Sequence, residues 1–188
     1  MIFRSMSPLS LALAGLLACP LAVAADYEQA SDAKSVLVFA NKYDGVLFTG
    51  TFADFQTQLS FDPQNPAEGR LDVTIALASA SSGNSDRDST LQGSAFFNTD
   101  AFPQARYNAT GFRALGDNEY AADGTLELRG VSKPVTLTFT WTDGPQPLLE
   151  GRALVNRLDF NVGGGDWDNT KLIPDATAIS TKVYFRQR

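Results

Sequence analysis

The sequence predicts an all-β fold, a sandwich or barrel of short antiparallel strands, and three observations carry that prediction. Segments of alternating polarity recur with Gly, Pro, Asn and Asp turns between them, helical spacing is confined to one stretch, and residues Gly124 to Trp141 (GTLELRGVSKPVTLTFTW) compose a hairpin. Leu126 and Leu128 lead to a turn expected over Gly130 to Pro134, after which Val135, Leu137, Phe139 and Trp141 alternate with Thr136, Thr138 and Thr140. Successive strand side chains point to opposite faces, so this limb has an apolar face and a threonine face. A slip of one residue would put the aromatics in water, which fixes the register.

The first 24 residues read as an address. Arg4 supplies a positive start, Leu9 to Leu17 is apolar but too short to span a bilayer, and Ala22-Val23-Ala24 is a small-residue cleavage signal. The expectation is a signal peptide over 1–24, export to the periplasm, and one folded domain over 25–188. A competing reading makes Leu16-Leu17-Ala18-Cys19 a lipobox, with Cys19 acylated. Under the main reading the mature chain has no cysteine, hence no disulfide.

Taken in order, Ser35 to Asn41 (SVLVFAN) is rich in β-branched and aromatic residues and ends in turn chemistry at Lys42 to Gly45. A second strand runs from Val46 to Phe61 with an interruption near Ala53-Asp54. Phe48 and Phe52 share one parity there, while Phe55, Leu59 and Phe61 share the other. Such a switch predicts a bulge or sharp bend of the kind that turns a barrel corner. After the turn at Asp62 to Pro66, Leu71, Val73, Ile75 and Leu77 alternate with polar or small residues in a third strand.

Ser79 to Phe97 differs in character. Its polar start and the spacing of Leu91, Ala95 and Phe96 predict one or two helical turns, with Ser85 or Asp86 near the N-cap. Strands are then expected over Arg106 to Phe112, Tyr120 to Arg129, Val135 to Trp141, Leu148 to Asn156, Leu158 to Val162 and Ala178 to Arg186. Gly116-Asp117-Asn118, Asp143-Gly144-Pro145, Gly163-Gly164-Gly165 and Pro174-Asp175 supply turns.

Composition removes several chemistries. The chain has no histidine, which excludes a Ser-His-Asp arrangement and histidine metal sites, and its lone cysteine falls in the leader. Without Arg4, 14 basic residues face 21 acidic ones, a net charge of −7. Nucleic acid is therefore not an expected partner, and no run in the mature chain approaches transmembrane length. Asp166-Trp167-Asp168-Asn169 admits a hard-cation reading beside that of a solvated turn, but lacks the EF-hand spacing. Arg157 and Asp159 are expected on one strand face, and Arg87 and Asp88 on the flap.

The candidate inner rows are Phe48, Phe52, Leu59, Phe61, Val73, Ile75, Leu77, Tyr107, Leu126, Leu128, Leu137, Phe139, Trp141, Val155, Phe160 and Val183. A barrel of about eight strands either fills itself with side chains or holds one small ligand, and periodicity does not separate the two.

Gly50-Thr51-Phe52-Ala53-Asp54-Phe55, Leu59 to Pro63, Ser85-Asp86-Arg87-Asp88 with Leu91, Phe97 to Tyr107, Tyr120 to Gly124, Leu126 to Val135 and Arg157 to Gly163 together resemble the YceI-like family of exported, lipocalin-like, polyisoprenoid-binding proteins. The resemblance covers nearly all of the mature chain. It implies an extended eight-stranded antiparallel barrel with a helical flap, no catalytic residues, and a long-chain amphiphile such as a polyisoprenoid, a quinone-like molecule or a fatty-acid derivative in an apolar interior. The lipid-binding residues expected on this basis are Phe48, Phe52, Phe61, Val73, Ile75, Leu77, Tyr107, Leu126, Leu128, Leu137, Phe139, Trp141, Phe160 and Val183. Arg87, Asp88 and Arg157 are expected at the mouth or headgroup, and no cofactor or metal is expected. Many members carry a His before the first-turn Gly, where this chain has Lys42-Tyr43-Asp44-Gly45. The Asn156-to-Phe160 run and Asp166-Trp167 resemble a branch associated with b561-type membrane cytochromes, which suggests such a partner by association.

Overall fold

The computed structural model describes residues 24–31 and 34–188. The expected leader, apart from Ala24, and Cys19 lie outside the described residues. The strands in order are β1 (Ala25–Gln29), β2 (Val36–Tyr43), β3 (Val46–Phe52), β4 (Phe55–Phe61), β5 (Arg70–Ala76), β6 (Ala80–Ser81), β7 (Gln104–Gly116), β8 (Glu119–Leu128), β9 (Val131–Thr142), β10 (Leu148–Asn156) and β11 (Ala176–Gln187). One α-helix, α1 (Ser85–Gln92), follows β6.

Eight strands close a ring of antiparallel pairs in the order β1-β4-β5-β7-β8-β9-β10-β11, with β11 returning to β1. The remaining strands, β2, β3 and the two-residue β6, continue members of that ring. On one edge of β11, Lys182 to Ala178 pair with Val36 to Ala40 of β2, and Phe185 to Gln187 pair with Gln29 to Tyr27 of β1. β3 likewise pairs with β2 while β4 pairs with β1. The bend at Ala53-Asp54 lies between β3 and β4, as the parity switch predicted: Phe52 is buried on one side of it, and Phe55, Thr57, Leu59 and Phe61 are buried at alternate positions on the other. Inward and outward residues exchange parity there, so both halves of the long strand keep an apolar face inside.

Several expected boundaries are corrected. β1 adds a strand where the sequence carries little strand signal, because ADYEQ offers only Tyr27 as a large buried side chain. The first turn is confined to Asp44-Gly45, both at positive φ (48° and 77°), and Lys42 and Tyr43 belong to the strand. The central hairpin turns at Arg129-Gly130, at φ 53° and 74°, with Leu128 opposite Val131. Two residues in the left-handed region match the twist of the flanking strands. Pro134 is a strand residue opposite Thr125 of β8, and it falls where β9 has no partner on its other side: β9 pairs with β10 only from Thr138 to Thr142. A residue without an N–H belongs on such an unpaired edge.

The flap helix is capped one residue earlier than expected, by Asn84, whose Oδ1 accepts the N–H of Arg87 at 2.9 Å. The largest correction is at Leu158–Val162, expected as a strand. Arg157–Phe160 forms a 3-10 helix that ends at Asn161 in the left-handed conformation. Arg157 and Asp159 therefore share no strand face.

Candidate functional site

The barrel interior has two unlike halves. At one end, Phe61 meets Phe112, Tyr120, Phe139 and Trp141 at ring-centroid distances of 5.0–5.8 Å, and Trp141 continues to Tyr27 and Phe185. Most of these pairs are edge-to-face or tilted, arrangements that rings with a negative face and positive edge prefer. The rings of this aromatic plug pack against one another, and none of Phe61, Phe112, Tyr120, Phe139 and Trp141 lines the cavity. Phe61, Phe139 and Trp141, expected to bind lipid, belong to the plug and do not line the cavity; Phe160, also expected, is the buried last residue of the 3-10 turn and does not line it either.

The other half encloses an apolar cavity of about 200 Å³. Ten of the fourteen expected lipid-binding residues line it: Phe48, Phe52, Val73, Ile75, Leu77, Tyr107, Leu126, Leu128, Leu137 and Val183. The strands position them by alternation alone. On β5 the inward row runs from Leu71 through Val73 and Ile75, with Leu77 just beyond the strand's end, and on β11 from Thr177 to Val183. Each row spans six residue steps, roughly 20 Å of strand.

Sequence reasoning missed part of the wall. Leu37, Phe39 and Asn41 of β2 and Phe55 and Thr57 of β4 show the period-two signal that could have found them. Leu91, Phe96, Phe97, Val162 and Ile173 come from the flap and the 157–174 segment, which have no strand period to read. Together these two segments cover the end of the barrel opposite the plug. Arg129, at the tip of the β8–β9 hairpin, ties them together: it donates to the carbonyls of Ser94 at 2.6 Å, Ala95 at 3.3 Å and Asn161. Trp167 adds an edge-to-face contact to Phe96 at 5.4 Å.

Of the three expected mouth residues, Arg157 lines the cavity, and Arg87 lies in an adjoining surface pocket that shares the wall residue Phe48. The Arg87 guanidinium lies 4.7 Å from the centroid of Phe48, while Nε donates to Ser82 Oγ at 2.7 Å. Asp88 has a local task instead. Its carboxylate accepts the Ser82 N–H, the Ser82 hydroxyl and the Ser81 hydroxyl, and these bonds hold its pKa below the usual carboxylate value.

Arg157 lines the cavity, but its guanidinium is fully engaged. It is 4% exposed, and its guanidinium donates to five backbone carbonyls: Pro174 from Nε, Val162 and Gly163 from Nη1, and Trp167 and Ile173 from Nη2, at 2.5–3.3 Å. A guanidinium has five N–H donors, so none is left for a headgroup. Burial lowers its pKa, an effect that Asp175 and Asp168 oppose.

Tyr107 contributes a polar group to the wall, but one that is also engaged. Its hydroxyl donates to Ala122 O at 2.8 Å, and burial pushes its pKa up to about 12. No group of three or more Asp, Glu, His or Cys side chains suited to a metal ion occurs among the described residues. Asp159, Asp166 and Asp168 are exposed and outside the cavity. Among the described residues no helix is long and apolar enough to cross a membrane.

Comparison with known proteins agrees with this architecture. A UPF0312 protein of Yersinia pestis is 35% identical over 150 residues, 75% of this chain and 78% of that one. A UPF0312 protein of Photorhabdus laumondii is 42% identical over 88 residues, 47% of this chain and 45% of its own length, so the match spans under half of that relative. Among solved structures, Burkholderia cenocepacia BcnA superposes with a TM-score of 0.77 at 28% identity, over 80% of this chain and 95% of that one. A polyisoprenoid binding domain from Saccharophagus degradans shares the fold, with a TM-score of 0.66 at 18% identity over 89% of this chain and all of the other. The family model for the YceI-like domain matches residues 29–185, and the chain belongs to the YceI-like family.

Proposed function

We propose that the protein is a non-catalytic binding protein, exported to the periplasm by residues 1–24, which carries or sequesters a long-chain amphiphile inside its barrel. The observation that carries this reading is the closed-ended apolar cavity. Its lining rows run roughly 20 Å along the strands, whereas its volume of about 200 Å³ lies below the roughly 300–1,000 Å³ common for compact ligands. A slender chain suits that shape. Each methylene buried there contributes about 0.8 kcal/mol, so a chain of modest length reaches tight binding without any charged contact. The chemical class, a polyisoprenoid, quinone-like or fatty-acid chain, follows from the family resemblance and from the fold shared with the Saccharophagus domain.

Two other readings have less behind them. A solid-core interaction protein would not hold such a cavity. A carboxylate-based lipid enzyme would need Asp159, Asp166 or Asp168 near the bound chain, and all three are outside the cavity. The b561-type cytochrome partner rests on the sequence resemblance alone.

Filling the cavity tests the proposal. Val73 projects into it from β5, and Val73→Trp adds a ring there while leaving the plug untouched. Displacement of a fluorescent long-chain probe should show affinity reduced at least tenfold, with the urea midpoint close to wild type. Undiminished probe binding in Val73→Trp would contradict an interior site.

A further inference from the structure

Thr57 differs from the other polar groups of the cavity wall. It points inward from β4 between Phe55 and Leu59, opposite Val73, which in turn lies opposite Tyr107. It is 4% exposed and lines the cavity, and its hydroxyl has no hydrogen-bond partner among the described residues. The neighbouring polar groups are all engaged. Asn41 donates to Pro174 O and Thr177 Oγ1 and accepts the Lys42 N–H. Thr181 donates to Val36 O, and Tyr107 to Ala122 O.

A buried hydroxyl without a partner is costly, and valine would fit the same strand position with the same branched shape and no polar atom to satisfy. The cavity is where Thr57 Oγ1 can meet one. Arg157, the cation on the wall, has spent its five donors on carbonyls, so nothing inside offsets an ionised group. The matching ligand atom is therefore an uncharged oxygen.

We propose that Thr57 Oγ1 is a hydrogen-bonding anchor for a neutral hydroxyl or carbonyl oxygen carried by the bound chain. The proposal rests on the chain-binding reading above and adds to it the ligand's polarity and orientation. On β4 the next inward residues after Thr57 are Leu59 and Phe61, and Phe61 belongs to the plug. The oxygen thus sits in the inner half of the cavity, with the rest of the chain extending toward the flap. An ionised headgroup is excluded from that depth.

The test compares cetyl alcohol with hexadecane, two probes of equal chain length, on the full mature protein and on Thr57→Val and Thr57→Ser. Comparing each probe across variants cancels the difference in their hydration and isolates the hydroxyl contact. Thr57→Val should weaken cetyl alcohol about three- to tenfold and leave hexadecane unchanged, and Thr57→Ser should retain the wild-type affinity for the alcohol. The melting temperature of ligand-free Thr57→Val should equal or exceed wild type, because the substitution removes an unpaired buried hydroxyl. Equal weakening of both probes, or none for the alcohol, would overturn the anchor and leave the chain-binding reading standing. Failure of the wild-type protein to bind either probe would overturn the chain-binding reading itself.

Discussion

Arg157 is a buried cation whose hydrogen-bond partners are all carbonyl dipoles. Its five donors gather the carbonyls of residues 162, 163, 167, 173 and 174, drawn from a segment with no strand ladder to satisfy them. Gly163 fits this arrangement twice over, with φ of 68° and no room for a side chain beside Arg157 Nη1 and the Phe96 ring. Replacing Arg157 by Met would keep the apolar stem but leave the carbonyls unpaired. The expected cost is about 3 kcal/mol or more, read from the urea midpoint. Arg157→Lys should recover only part of this, since an ammonium has three donors and no planar fork. A Met variant of wild-type stability would show that the network is incidental.

At the scale of elements, the cavity end of the barrel is closed by clips between segments and not by further strand pairing. β9 has no β10 partner before Thr138, and the flap and the 157–174 segment meet over that end through Arg129, Phe96 and Trp167. Arg129→Ala removes bonds to three carbonyls while leaving the type I′ backbone geometry in need of a positive φ, which Arg129→Gly would relieve. In both variants amide exchange in α1 and residues 93–98 should rise roughly tenfold, with exchange in β7 and β8 unchanged. A rise spread evenly through the barrel would instead mean global destabilisation. The sequence made most strands legible because alternation is a local signal, and the break at Ala53-Asp54 was visible as a change of parity. The 3-10 turn at Arg157–Phe160 was not, since Leu158, Phe160 and Val162 alternate like a strand. What overrides that pattern is the set of bonds from Arg157 to carbonyls up to 17 residues away. No local period contains that information.

For the whole molecule, the proposed function rests on the division into plug and cavity. Both halves are built from the same inward rows: Leu137 lines the cavity, and Phe139 and Trp141, two and four residues further along β9, close it. Alternation identified these side chains as interior but carried no information on which end of the barrel they occupy. That depends on how far each tilted strand is staggered against the next, a property of the closed ring. Ten of the expected wall residues were therefore legible in the sequence, while the four plug or packing residues were not distinguishable from them. The chain-like occupant proposed for the cavity half is open to measurement. Native mass spectrometry of the protein isolated from its own cells, followed by organic extraction, would detect it. The predicted result is a stoichiometric added mass that extraction releases as a long-chain neutral species, absent from Val73→Trp prepared in the same way. Identical ligand-free masses for both proteins, with no uptake when cetyl alcohol is supplied, would contradict it.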